Sequence, residues 1–320
     1  MDFLAYFGKP VDDPSVGTLF ERLNTLNRPA LPDDDRYVYY DWVLVRRKGV
    51  ELGFVDSAYH LAQPRGLWRT GKLLLVQFYF YSGFDNVARY EGELPFGLTW
   101  ADRRDNVRAK LMKFNETLHQ SSDSDAWDVP GYRLTVNYST GKNQTVDRLF
   151  CQQMPRPLVS NEKVSWPDLQ SVCQLFGADV NEPAFAALWK TQWNEARRQE
   201  AREDEEIDFC ESFGATLKFA NSTTATLFRS ITLHRNRDMD SVGWSGQLPQ
   251  QLSFEDSPQV LFKKISQKPV QHDDSSSSFV GHAVWHFKEY TLHVLYSRID
   301  NRLLRIQMMA PGTWKSINDV

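Results

Sequence analysis

Cysteine is scarce: the 320 residues include only 3, Cys151, Cys173 and Cys210. An odd number at wide spacing builds neither a disulfide framework nor a cysteine-based metal cluster, and favours a reducing compartment. Long apolar runs are also missing. The longest, LLLVQFYFY from Leu73, is interrupted and only of strand length, whereas a membrane span needs roughly 18 or more apolar residues. There is no excess of positive charge, since the formal net charge is -4, which argues against a nucleic-acid binder that relies on a basic surface. The opening segment MDFLAYFGKPVDD carries neither a basic n-region nor a small-residue cleavage site, so no signal peptide is expected. These absences together predict a cytoplasmic protein with no membrane or nucleic-acid partner. No phosphate-binding glycine loop, G-x-G-x-x-G, G-x-S-x-G, H-E-x-x-H or C-x-x-C occurs. The chain is therefore not expected to be an enzyme, or to hold a cofactor or metal.

What is present is a chain that repeats itself. GELPFGLTWADRRDNVRAKL, Gly92 to Leu111, returns as GQLPQQLSFEDSPQVLFKKI, Gly246 to Ile265. Phe7-Gly8, Val11, Pro14 and Leu19 reappear as Phe176-Gly177, Val180, Pro183 and Leu188. GVELGFVDS from Gly49 matches GATLKFANS from Gly214, and YRLTVNYS from Tyr132 matches YTLHVLYS from Tyr290. A self-match of this period fixes the architecture before any local reading does. The modules span about residues 1–155 and 166–320, with a linker over 156–165 that begins beside Met154-Pro155-Arg156-Pro157.

Each module opens with a helix. Asp12-Asp13-Pro14 precedes Val16, Leu19, Phe20 and Leu23 on one helical face. Asn181-Glu182-Pro183 precedes Phe185, Leu188, Trp189 and Trp193, a helix the sequence allows to run on through KTQWNEARRQEAREDEE. Strands rich in β-branched and aromatic residues follow: RYVYYDWVLVRR, GVELGFVDSAYHL and KLLLVQFYFYS, then GATLKFANS and TLFRSITLHR. Thr99 to Asp102 and Ser253 to Asp256 have the spacing of a capping box at a second helix start. YRLTVNYS and YTLHVLYS alternate with period two, as in an antiparallel sheet with one solvated face. VDRLFCQ and LLRIQMM then place Arg148 and Arg305 in register, and set Cys151 against Met308 as an apolar core residue. The fold class expected is α+β, two tandem homologous modules of antiparallel sheet with packed helices.

The stretch from Leu94-Pro95 through Leu98, Val107, Leu111, Trp127, Tyr132, Leu134 and Val136 resembles the BamE-like and β-lactamase-inhibitor-like module. So does the second set, Leu248-Pro249, Leu252, Leu261, Ile265, Trp285, Tyr290, Leu292 and Val294. The added N-terminal helix and strands lie outside that pattern. The tandem as a whole is similar to bacterial immunity proteins encoded beside secreted polymorphic toxins. That resemblance implies an inhibitor that binds one toxin domain and occludes its site without catalytic residues. An adaptor or chaperone-like scaffold for a secreted effector or peptide is the alternative, and a hydrolase with a cleft of converging titratable groups is a third class.

The candidate chemistry is thin. His282 and His286 would share one strand face, opposite Trp285 and Phe287, but the first copy has no matching histidines. Cys210 and His234 form a conceivable thiol–imidazole pair, weighed against burial of a small hydrophobe. Acidic runs are placed alike in the two copies. Asp33-Asp34-Asp35 and Glu203 to Glu206 precede early strands, and SSDSDAWD and HDDSSSS are read as polar loops between helix and strand. Such loops would steer the chain onto a basic partner surface. Trp68 and Arg69, in a Gly- and Arg-containing loop, have the composition of an interface anchor, or else pack on their own sheet. The predicted partner-binding residues are Trp68, Arg69, Asp123, Asp125, Asp128, Asp273 and Asp274.

Overall fold

The computed structural model describes residues 3–141, 144–160, 162, 164–273 and 278–314. The chain divides into two compact units, Met1–Arg156 and Pro157–Val320. The first contains strands β1 (Tyr40–Val45), β2 (Val50–Asp56), β3 (Leu73–Tyr81), β4 (His119–Gln120), β5 (Ser124–Val129), β6 (Tyr132–Tyr138) and β7 (Val146–Gln152). They form one antiparallel sheet in the order β1-β2-β3-β7-β6-β5-β4. The second contains β8 (Glu206–Phe209), β9 (Ala215–Asn221), β10 (Thr226–His234), β11 (Gln271–Asp273), β12 (Val280–His286), β13 (Thr291–Ser297) and β14 (Arg302–Met309). Its order, β11-β12-β13-β14-β10-β9-β8, is that of the first sheet strand for strand. The architecture is thus α+β with two antiparallel sheets of like topology.

The helices of the first unit are α1 (Pro14–Arg22), α2 (Ser57–His60) and α3 (Arg104–Lys110). Those of the second are α4 (Leu169–Cys173), α5 (Pro183–Trp189), α6 (Glu195–Asp204) and α7 (Pro258–Lys264). Asp13 caps α1 by accepting from the Ser15 N–H, with Pro14 at the first helical position. Helix α5 does not continue through the charged stretch. Lys190 turns left-handed at φ 51°, and Asn194 caps α6 as a separate helix. An arginine- and glutamate-rich segment has little apolar surface to keep one long helix seated on the core.

Framework contacts recur in both copies. Gly8 and Val11 donate to the Leu75 and Leu73 carbonyls; Gly177 and Val180 donate to Phe228 and Thr226. The His234 N–H donates to Gly214 as the Tyr81 N–H does to Gly49. Gly49 and Gly214 are both left-handed (φ 61° and 74°), and an added Cβ would lie 2.2 and 2.1 Å from neighbouring backbone. Only glycine satisfies both demands.

The anchor segments differ from a capping box in one respect. Asp102 and Asp256 do accept from the Thr99 and Ser253 N–H at 2.7 and 2.8 Å, but the helices start later, at Arg104 and Pro258. Each carboxylate instead ties its turn to the helix end. Lys110 Nζ bonds Asp102 (2.6 Å) and the Gly97 carbonyl; Lys264 Nζ bonds Asp256 (2.7 Å) and the Gln251 carbonyl.

Three more expectations are corrected. Ser124–Val129 is a strand, so Asp125 and Asp128 do not lie in a loop, and β11 begins where a loop was read. Ser57–His60 is helical rather than a continuation of β2. Part of the expected linker is held by the second unit: Leu158 is buried, and its N–H and carbonyl both bond the Asn236 side chain.

Candidate functional site

Alternation along the strands sends Val50, Leu52, Phe78, Phe80, Leu134 and Val136 into the first core, and Leu217, Ile231, Leu233, Val294 and Ile306 into the second. The intervening residues lie on the other face of each sheet. There, strand register gives one crosswise row of Thr135, Phe150, Tyr79, Glu51 and Leu44 in the first unit. The equivalent row in the second unit is His293, Gln307, Thr232, Thr216 and Asp208. In the first row Tyr79 and Phe150 stack with ring centroids 4.1 Å apart. In the second row the smaller polar residues leave a cavity of about 480 Å³, lined also by Lys218, His234 and Arg305.

A chain of hydrogen bonds runs along the cavity floor. His234 Nδ1 lies 2.8 Å from the Asp238 carboxylate, and Nε2 lies 3.0 Å from Thr216 Oγ1. Cys210 Sγ is 3.6 Å from the same Thr216 oxygen, and Arg305 Nε donates to Asp238 at 2.6 Å. Burial pushes the Asp238 pKa up, but hydrogen bonds from His234 and Arg305 outweigh it and leave the carboxyl below its ordinary range. An ionised Asp238 accepts from His234 Nδ1–H and so orients the ring, with Nε2 facing the Thr216 hydroxyl. Asp238 is carried by a turn in which Arg237, Met239 and Asp240 all have positive φ (76°, 51° and 56°). Three non-glycine residues in the left-handed region are strain of the kind that accumulates at functional sites.

The connectivity is that of a hydroxyl–imidazole–carboxylate triad. Thr216 lies in β9 between β8 and β10, so its backbone is committed to ladder pairing and offers no oxyanion donor. Burial first, and then the Asp208 charge, push the Cys210 thiol up to about 12, which keeps it protonated. His293 is shifted down to about 4, chiefly by burial and then by His282, with a partial opposing effect from its bond to Gln307.

None of the remaining sequence candidates is among the residues lining this cavity. Trp68 packs edge-on against Tyr39 and Tyr59 (5.4 and 4.9 Å), and its indole N–H donates to the Gln63 carbonyl. This is the reading in which the loop packs on its own sheet. Arg69 is spent on the Asp35 and Pro32 carbonyls. Asp125 is fully buried, with its oxygens taken by Arg104, Arg108 and the Tyr138 hydroxyl. It presents no charge to solvent. Asp128 is half-buried and pairs with Arg133 at 2.8 Å. Asp123 is half-buried and accepts from Ser121, Asp273 is exposed on β11, and Asp274 lies outside the described residues. His282 and His286 bond Gln271 and Thr291, and no group of three metal-ligating side chains converges among the described residues.

The Cys210–His234 pair weighed from sequence is therefore bridged by Thr216, and Asp238 and Arg305 were missed. The repeat held a signal for them. Aligning Gly49 with Gly214 sets Glu51 against Thr216, a chemical change at a fixed frame position; the match of Tyr81 with His234 emerges only from strand register, opposite Arg148 and Arg305. No protein-family model, curated protein or solved structure matches this chain.

Proposed function

We propose that the protein is a non-catalytic binding protein, an immunity protein that neutralises a toxin enzyme by covering its active or substrate-binding site. The observation that carries the reading is the contrast between frame and face in the two copies. Turn glycines, the lysine–aspartate ties and the strand order are kept. On the sheet face away from the core, Glu51, Tyr79, Tyr81 and Phe150 become Thr216, Thr232, His234 and Gln307. A duplicated scaffold that holds its skeleton and varies one face is suited to gripping two different patches of a partner. In the first unit, stacked Tyr40 and Trp42 add an aromatic ledge, with Trp42 45% exposed, and such side chains dominate interface energetics. The exposed run Asp33-Asp34-Asp35 and exposed Asp273 favour a basic partner surface.

The toxin class follows from the resemblance of the tandem modules to immunity proteins. Co-expression tests it. The tagged chain is purified with the product of the neighbouring open reading frame, which is also expressed alone. A one-to-one complex with a product that kills cells unless this chain is present supports the reading. A harmless neighbour that does not bind overturns it, and a bound but harmless neighbour points to the adaptor alternative.

A further inference from the structure

We infer that the cavity in the second sheet is a binding site for a small planar ring carrying hydrogen-bonding groups on its edge. The argument starts from the volume. In the first unit the same crosswise position holds the stacked Tyr79 and Phe150 rings; in the second, Thr232 and Gln307 stand in their place and the space is open. The register on either side is kept, with Tyr81 opposite Arg148 and His234 opposite Arg305, so the sheet has not collapsed to close the gap. The pocket is open to solvent on one side, and its volume is within the range of sites that hold ligands, about 300–1,000 Å³. What the frame accommodates in one copy is two flat rings. A flat ring is the shape that fits the other.

The lining specifies the edge. The Thr232 hydroxyl and Arg305 Nη1 have no hydrogen-bond partner among the described residues, and neither does buried His293 Nε2. Of these, only His293 Nε2 is buried, and a buried polar atom without a partner is costly; Thr232 and Arg305 are part-exposed. Burial keeps the His293 imidazole neutral, so its unpartnered Nε2 is a donor or an acceptor according to tautomer. Arg305 is a donor, and Thr232 is both. Asp238, on its strained turn, fixes His234 and one edge of Arg305 together, so the donor side is rigid before any ligand arrives. Leu295 and Met239 supply apolar contact for the ring faces. This site does not rest on the toxin reading, since it concerns one unit and a small molecule.

The experiment uses the full chain and five probes, with dissociation constants from calorimetry and ligand-observed NMR. Adenine, indole and p-cresol combine a ring with edge donors; benzene has the ring alone, and cyclohexanol the hydroxyl without a flat ring. At least one of the first three is expected to bind with a dissociation constant below about 1 mM, more than about tenfold tighter than benzene and cyclohexanol. The double variant Thr232→Tyr with Gln307→Phe restores the rings of the first copy and should abolish binding while the chain stays folded by circular dichroism. If that variant does not fold, His293→Thr, again the residue of the first copy, should weaken binding by about tenfold. The inference is overturned if no ring probe binds below about 10 mM, if benzene binds as well as p-cresol, or if the refilled cavity binds undiminished. Complex formation with a toxin should be measured separately on the same variants, so that either conclusion can fail alone.

Discussion

Asp125 was expected to meet a partner, and its surroundings make it the sharpest test of the structure. Its carboxylate is fully buried and held by Arg104 at 2.6 Å, Arg108 at 2.8 Å and the Tyr138 hydroxyl at 3.1 Å. The second copy solves the same position without charge. Ala283 stands for Asp125, Phe262 for Arg108 and Pro258 for Arg104, beside the equivalent tryptophans Trp127 and Trp285. Removing one member of a buried ionic cluster leaves the others unpaired and costs about 3–5 kcal/mol. Arg108 is 32% exposed and Arg104 14%, so both guanidiniums recover some hydration, and the low end, about 3 kcal/mol, is expected for Asp125→Ala. For a unit of this size that lowers the melting temperature by roughly 6–12 °C. Adding Arg108→Phe, to copy the second unit, should bring stability back to within about 1 kcal/mol of the parent, since apolar replacements of buried ion pairs are often neutral. Urea titration at pH 7 measures both variants. A loss below about 1 kcal/mol for Asp125→Ala, or a double variant no better than the single, refutes the reasoning.

The sign of the pH dependence is also fixed. Burial raises the Asp125 pKa, but hydrogen bonds from Arg108 and Arg104 lower it further than burial raises it. A depressed carboxyl contributes stability above its unfolded pKa of about 3.9 and loses it as pH falls through the folded value. The stability gap between the parent and Asp125→Asn should therefore be full at pH 5–7, as rough bounds, and narrow below about pH 4.

Other outcomes follow from the same geometry. Gly49→Ala and Gly214→Ala should each destabilise by about 2 kcal/mol or more, because each adds a Cβ inside contact distance at a left-handed φ; urea midpoints near the parent's would contradict this. Cys210 should resist iodoacetamide at pH 7.5 in the native protein and react on unfolding, since its thiol is buried and shifted up to about 12. Rapid native alkylation there would reopen the nucleophile reading. Electrostatic steering should be tested by neutralising Asp123, Asp128 and Asp273 while sparing Asp125. An association rate with the toxin that falls severalfold at low salt, and converges at high salt, is the expected result.

Much of the fold was legible because repetition and alternation are local properties. Period-two apolar residues in YRLTVNYS and YTLHVLYS, the paired glycines, and the LP-x-x-L segments mark the same elements twice. The misreadings share a cause. SSDSDAWD looks polar enough for a loop, yet Ser124, Asp125 and Ala126 are all buried in a strand, because arginines one helix away supply the partners. Glu206–Phe209 is hidden within an acidic run and becomes an edge strand only because β9 offers it a ladder. Propensity says little where tertiary pairing decides.

The sequence by itself determined two sheet-and-helix units of one plan, since burying an apolar face with a fixed period leaves few other arrangements. It also determined which positions are frame, because those are the ones that recur. Only the tertiary structure decided where the chemistry lies. Cys210, Thr216, His234, Asp238 and Arg305 come from four separate stretches, and they meet because sheet register and one strained turn bring them within hydrogen-bond reach. Charge shows the same division. Asp123, Asp125 and Asp128 are three acids in one short segment, and their exposure, and hence what each can touch, depends on cross-strand and helix neighbours distant in the chain.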